Sequence, residues 1–257
     1  MRTDERALPD EALGHIRGSA FAAGEFVGQE SFMTAGEIIA LARRAGVGPG
    51  VSVLDVCCGA AGPGLSITRE LGCTYLGVDA NAASVAVARD RARAAGLAAR
   101  FAVARIPPLP RGRFDVVLLL ETMLAFRDKQ RVLREVATAL PVGGRFAFTV
   151  EEGAPLTDAE RNRMPEADTV WPIPLPELLS SLEAVGLHIR WRADWSRSHA
   201  ATVDALVEAY AAAASRAGTA VPGSLVELLA SHRLWGDWLH QGRMRKLAFV
   251  VERIGSR

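Results

Sequence analysis

A chain of 257 residues that is 49% hydrophobic and 23% charged, with a net charge of +1, has the size and balance of one globular domain with a full central sheet. Acids and bases are interleaved, which argues against a nucleic-acid partner; the densest basic run, Arg89-Asp90-Arg91-Ala92-Arg93, reads as a solvated helix face. The opening MRTDERALPDEALG has no apolar core behind its charges, and no apolar run reaches the roughly 20 residues of a membrane span. The expectation is a cytoplasmic protein with no membrane partner. Three cysteines, two of them adjacent (Cys57 and Cys58), suit reduced thiols. No Cys or His pair has ligand spacing, so no metal is expected.

Residues 1–46 read as mostly helical, with Ile38, Ile39 and Leu41 on one side, and form a lid ahead of a single domain over 47–257. Strand-like and helix-like segments then alternate at the rhythm of a βαβ sheet. A buried strand over 51–57 is followed by a short helix over 65–71 and a strand over 74–79. Asn81 caps a long helix that Gly96 ends. Strands at 97–103 and 114–120 follow, the latter (FDVVLLL) apolar enough for the middle of a parallel sheet. A helix over 129–140 has Val132, Leu133, Val136 and Leu140 on one face and leads to a fifth strand at 145–150.

Residues 151–176 hold five prolines, which predicts a packed loop without regular structure. A helix over 177–185 with Pro176 in its first turn leads to a sixth strand at 187–193, and a seventh lies at 247–253. Between these two strands, helices are predicted near 202–216 and 224–238. The fold class is therefore α/β: a Rossmann-like, seven-stranded, mostly parallel sheet with helices on both faces, a helical N-terminal lid and a helical insertion between strands six and seven. Segments 151–176 and 194–243 are expected to cap a substrate.

The first strand runs into VLDVCCGAAGPG, residues 53–64. A dinucleotide site wants G-x-G-x-x-G there, so that a pyrophosphate rests on a helix N-terminus. Here Ala61 stands at the second glycine, and Asp55 puts a negative charge where phosphate would sit. S-adenosylmethionine has the opposite needs. It carries no phosphate, and its amino group and sulfonium favour a nearby acid. A second acid at the end of the next strand, Asp79 in YLGVD, suits a grip on both ribose hydroxyls. Asp79 also fits a helix N-cap, a role that Asn81 can take instead.

VLDVCCGAAGPG, GVDAN, FDVVLLLETMLAF and LPVGGRFAFT, in that order, resemble the four motifs of class I SAM-dependent methyltransferases. The likeness is to the small-molecule branch that includes sterol, tocopherol and antibiotic-pathway enzymes; it covers about residues 25–152, and the rest by architecture. The resemblance implies S-adenosyl-L-methionine as cofactor, with Asp55, Gly59, Ala61 and Gly62 at its methionine end. It also implies Asp79 on the ribose, Ala80 beside the adenine and Leu120 with Glu121 toward the sulfonium. Phe26-Val27-Gly28-Gln29 resembles the segment that folds over the cofactor, placing Phe26 at the site and Gln29 within reach of the carboxylate. Three departures stand out. Ala61 replaces a usual glycine. FAVARIPPLP lacks the usual acid for adenine, leaving Arg105, Ile106 and nearby backbone. ETMLAF has Ala125 or Phe126 where many relatives have histidine.

An activated methyl on sulfonium needs an aligned nucleophile and little water, with a base when the nucleophile must lose a proton. Glu121, Glu152 and His199 are the candidates for that base, with Glu151, Asp194 and His240 also near the expected pocket walls. Trp171 and Trp235 are expected to line an apolar or aromatic substrate cavity. The expected function is methyl transfer to an O, N or C nucleophile of a small, secondary-pathway molecule by a monomer or homodimer. The alternative is a related protein that keeps the cofactor but catalyses a non-methylating reaction such as cyclisation. A nucleic-acid methyltransferase fits less well: Leu120-Glu121-Thr122-Met123 is no Asn/Asp-Pro-Pro-aromatic stretch, and no Cys follows Cys73.

Overall fold

The computed structural model of the chain describes residues 10–165, 167–218 and 221–255. Its centre is a seven-stranded sheet of β1 (Ser52–Val56), β2 (Thr74–Asp79), β3 (Arg100–Val103), β4 (Val116–Leu119), β5 (Arg145–Glu152), β6 (Leu187–Asp194) and β7 (Arg245–Arg253), in the order β3-β2-β1-β4-β5-β7-β6. β7 pairs antiparallel with β5 and β6, and the remaining pairs are parallel. The chain reverses direction across the sheet at β1, where crossovers run first toward β3 and then toward β5. Such a switch point opens a crevice at the carboxyl ends of the strands.

Alternation along each strand sorts side chains onto two cores. Val53, Tyr75, Phe101, Val116 and Ala147 face one way, under α2 (Ala35–Arg44), α3 (Gly62–Leu71) and α4 (Ala82–Ala94). Leu54, Val56, Val117, Phe146 and Phe249 face the other, under α5 (Lys129–Ala139) and α7 (Leu175–Ala184). Phe148 stacks on Phe146 and on Phe249, with ring centroids 4.5 and 5.2 Å apart, so consecutive layers of β5 and β7 close without a gap.

The N-terminal segment is less helical than predicted: α1 (Asp10–Gly18) and α2 are joined by an irregular stretch over 19–34, and residues 1–9 lie outside the described residues. α2 is closed at its N-terminus by a capping box, Thr34 with Glu37. The proline-rich segment also departs from expectation. It contains α6 (Asp158–Arg163), nucleated by a second capping box of Thr157 and Glu160. The insertion forms two packed helices, α8 (Ser196–Ala217) and α9 (Gly223–His240), both longer than predicted.

Candidate active site

The turn after β1 is shaped by close approach. Cys57, Gly59 and Ala61 all have positive φ (61°, 53° and 60°), so two side-chain-bearing residues occupy the left-handed region. Ala61 is the N-cap of α3 and offers no side-chain cap, which leaves the helix N-terminus to whatever occupies the cavity. A Cβ at Gly62 would overlap Val27 O of the lid, and one at Gly64 would overlap the Tyr75 hydroxyl. Glycine at 62 therefore lets the lid lie directly on the turn. Glycine at 64 lets Tyr75 reach under it to Asp55.

That contact sets the electrostatics. The Tyr75 hydroxyl donates to Asp55 Oδ2 at 2.5 Å, and both residues are buried. Burial pushes the Asp55 carboxyl from 3.8 up to about 7; Tyr75 pulls it down and the charge of Asp79 pushes it up. The same burial raises the Cys57 thiol to about 12 and moves Cys58 higher still, so both are neutral packing groups. Asp79 ends β2 with both oxygens placed: Oδ2 accepts from Gly59 N at 2.9 Å and Oδ1 from Asn81 N at 2.8 Å. Asn81, not Asp79, caps α4, through Ala83 N and Ser84 N.

These residues line a cavity of about 340 Å³ together with Gln29, Glu30, Ser31, Leu120, Glu121 and Thr122. Among the described residues its walls carry four acids, Glu30, Asp55, Asp79 and Glu121, and no lysine or arginine. The volume is in the range of small-molecule sites, roughly 300–1,000 Å³. Gly59 opens onto free space, with nothing within 4 Å of an added Cβ.

Several expected members stand elsewhere. Gln29 lines the cavity, but its amide is spent on the lid: Oε1 accepts from Val27 N, and Nε2 donates to Glu25 O and Met33 O. Phe26 packs on Phe21 and faces a surface groove beside Arg91. Ala80 and Arg105 are exposed, and Ile106 packs against the α5 side of the core; none of the three lines the cavity. Glu152 points away from it, accepting from Arg245 Nε at 2.8 Å and from Leu175 N at 3.3 Å. His240 pairs with Asp204 on the surface, and Asp194 accepts from Ser196 N. Trp171 carries Arg127 and Arg161 over its ring at the surface, while Trp235 fills the core edge-on to Trp238.

Behind Glu121 lies a cluster in which sequence reading named Glu151 and His199 but missed Lys246. Lys246, 1% exposed, forms ion pairs with Glu121 Oε1 and with Glu151 Oε1, the latter at 2.5 Å. His199 Nδ1 stands 3.9 Å from Glu121 Oε2, and burial holds its imidazole down at about 3, hence neutral. Burial raises Glu151, whereas Lys246 and His199 overcome burial and lower Glu121. Glu121, Glu151 and His199 bring ligand-type atoms within 4.8 Å of one another, and the cation on the two carboxylates is the Lys246 ammonium. The signal was present in RKLAFVVER: a lysine at an inward position of an apolar strand, opposite Glu151 in the β5–β7 register.

Residues 53–144 match the family model of a methyltransferase domain. The methyltransferase GfsG of Streptomyces halstedii is 38% identical over 112 residues, 42% of this chain and 40% of its own length. The 27-O-demethylrifamycin SV methyltransferase of Amycolatopsis mediterranei is 32% identical over 157 residues, 56% of this chain and 58% of its own. The chain spans about half the length of the curated relatives it matches. The crystal structure of the [4+2]-cyclase SpnF aligns with a TM-score of 0.74 over 96% of this chain and 93% of that one, at 22% identity, a likeness of fold. Among the described residues no helix is long and apolar enough to cross a membrane. Family match and relatives together make residues 53–144 similar to a methyltransferase domain.

Proposed function

We propose that the chain binds S-adenosylmethionine in this cavity and transfers its methyl group to an O, N or C nucleophile of a small secondary-pathway molecule. The observation that carries the reading is the row of carboxylates on β2, β1 and past β4, in a small-molecule cavity with no lysine or arginine wall among the described residues. A phosphate-bearing nucleotide meets repulsion there, whereas a cationic, phosphate-free nucleoside meets acids.

Asp79, held by two backbone N–H groups, would take the ribose hydroxyls. Asp55 and the backbone of residues 59–62 would hold the methionine end, and Leu120 and Glu121 the acceptor side. The bound cofactor supplies an electrophilic methyl group. The chain's own part is to orient the acceptor, exclude water under the lid and take up a proton where the nucleophile loses one. Glu121 is the cavity-lining candidate for that last role; His199, neutral and buried behind it, is a supporting group. The relatives' names support a small-molecule acceptor. A cytoplasmic monomer or homodimer without a nucleic-acid partner completes the reading.

The test is calorimetric titration with S-adenosylmethionine, followed by a search for S-adenosylhomocysteine release over a panel of rifamycin-like and aromatic acceptors. Saturable binding that Asp79→Ala abolishes supports the site. Unchanged uptake by Asp79→Ala refutes it. Cofactor uptake with substrate conversion but no S-adenosylhomocysteine points to the non-methylating alternative.

A further inference from the structure

Three carboxylates stand on three adjacent strand ends, Asp79 on β2, Asp55 on β1 and Glu121 just past β4. Neighbouring strands lie about 4.8 Å apart, so Glu121 is about two strand spacings from Asp79, at the far end of the row. Glu121 is also the most heavily constrained of the three. Its φ is +62°, in the left-handed region that a residue with a side chain rarely adopts. Thr149 clamps it twice: its Oγ1 accepts from Glu121 N at 2.8 Å and donates to Glu121 Oε1 at 3.0 Å. Phe32 N, from the lid, donates to Oε2 at 3.2 Å, and Lys246 pairs with Oε1.

The charge arithmetic of the cluster is uneven. Two carboxylates share the one Lys246 ammonium and His199 is neutral; burial raises Glu151 whereas Lys246 and His199 lower Glu121, so the negative charge of the cluster is concentrated on Glu121. Burying a second carboxylate on one ammonium is expensive and does nothing for packing that a neutral side chain would not do. Of the four groups only Glu121 lines the cavity; Lys246, Glu151 and His199 are 1%, 5% and 3% exposed and lie behind it. Among the described residues Glu151 Oε2 and His199 Nε2 have no hydrogen-bond partner, so the cluster is not arranged to satisfy itself. A ligand in the cavity therefore lies beside a carboxylate, its side chain 9% exposed, whose paired cation is hidden behind it.

We infer that Glu121, oriented by Lys246 and Thr149, is the residue by which the cavity distinguishes a sulfonium cation from a neutral thioether, and so the charged cofactor from its spent form. The inference rests on the proposed function and adds to it a specificity-determining residue. Glu121 holds the cationic ligand; once the methyl group has left, the same carboxylate faces an uncharged sulfur and the extra attraction is gone. Lys246 and Thr149 are positioning residues in this scheme, since neither lines the cavity.

The experiment is paired calorimetry with S-adenosylmethionine and S-adenosylhomocysteine on wild-type protein, Glu121→Gln and Lys246→Met. Glu121→Gln is expected to weaken S-adenosylmethionine binding about tenfold, equivalent to about 1.4 kcal/mol, and to change S-adenosylhomocysteine binding less than about threefold. Lys246→Met is expected to lower the same affinity ratio. Should Lys246→Met fail to fold, Thr149→Val removes the hydroxyl clamp at nearly constant shape, and a severalfold fall in the ratio is expected. Equal changes for both ligands, or none, overturn the inference while leaving the cofactor site standing. Wild-type protein that binds neither ligand overturns the proposed function and this inference with it.

Discussion

Cofactor uptake is expected to weaken as pH falls through 7, and the titrating group is Asp55. Its carboxyl is buried and lifted to about 7, with the Tyr75 hydroxyl and the Asp79 carboxylate as its charged or polar neighbours. A cation in the cavity favours the ionised form, so binding at low pH must first expel a proton. With a pKa of about 7, apparent affinity falls by a factor of about 2 at pH 7 and about 10 at pH 6, and by almost nothing at pH 8. The Cys57 and Cys58 thiols stay neutral throughout. The ligand's own α-carboxyl and α-amino groups titrate near 3.5 and near 8, roughly, leaving its charge nearly constant between pH 5.5 and about 7. Calorimetry at pH 6 in two buffers of different ionisation enthalpy is expected to count about one proton released per ligand bound. Asp55→Asn is expected to flatten the profile. A wild-type affinity that does not change between pH 6 and 7, or the same slope in Asp55→Asn, refutes the reasoning.

Three further outcomes follow from the same geometry. Asp79→Asn puts a neutral amide where the proposed function has a carboxylate on the ribose hydroxyls; one hydrogen bond to a charged group is worth about 1.5–3 kcal/mol, so cofactor affinity by calorimetry is expected to fall between about tenfold and a hundredfold. Gly64→Ala forces Tyr75 off Asp55, and overpacking with a lost buried bond costs about 3 kcal/mol, read as a fall of roughly 6–12 °C in Tm; an unchanged Tm sinks that reading. His199 and His232 are held by burial at about 3 and about 4, below the usual 6.5. The unfolded chain protonates them first, so their contribution to stability is present above pH 6.5 and lost as pH falls toward 4. Chemical denaturation at pH 7 and 5 is expected to show a lower midpoint at pH 5, and His232→Phe to reduce the difference.

Where each residue's role was set by its own segment, the sequence was enough. Asp79 ends its strand, Asp55 stands one residue before the end of an apolar one, and Asn81 is followed by a helical stretch that needs a cap, so all three positions follow from local pattern. Residues 151–176 show the limit of that approach. Five prolines argued for a loop, yet Thr157 and Glu160 form a capping box between Pro155 and Pro165, and one helical turn and a half fits in the gap. The lid failed for a related reason. Gln29 has the chemistry to reach a ligand, but Glu25, Val27 and Met33 present backbone groups that satisfy it first.

The choice between Glu151 and Glu152 turned on information that lies far along the chain. Both end β5, and adjacent residues of a strand must face opposite ways, so one is inside and one outside. Which is which depends on β7, more than ninety residues later, whose register sets Glu151 opposite Lys246 and Glu152 opposite Arg245. Each carboxylate thus has a cation, one pair buried and one at the surface with Arg245 44% exposed. An exposed pair contributes little to stability, about 0–1 kcal/mol, whereas removing one partner of a buried pair costs about 3–5 kcal/mol. Glu152→Gln is accordingly expected to leave Tm within about 2 °C of wild type, while Lys246→Met lowers it by several times that. Equal effects of the two substitutions would mean that the buried cluster is no more constrained than the surface pair, and the positioning of Glu121 would lose its physical basis.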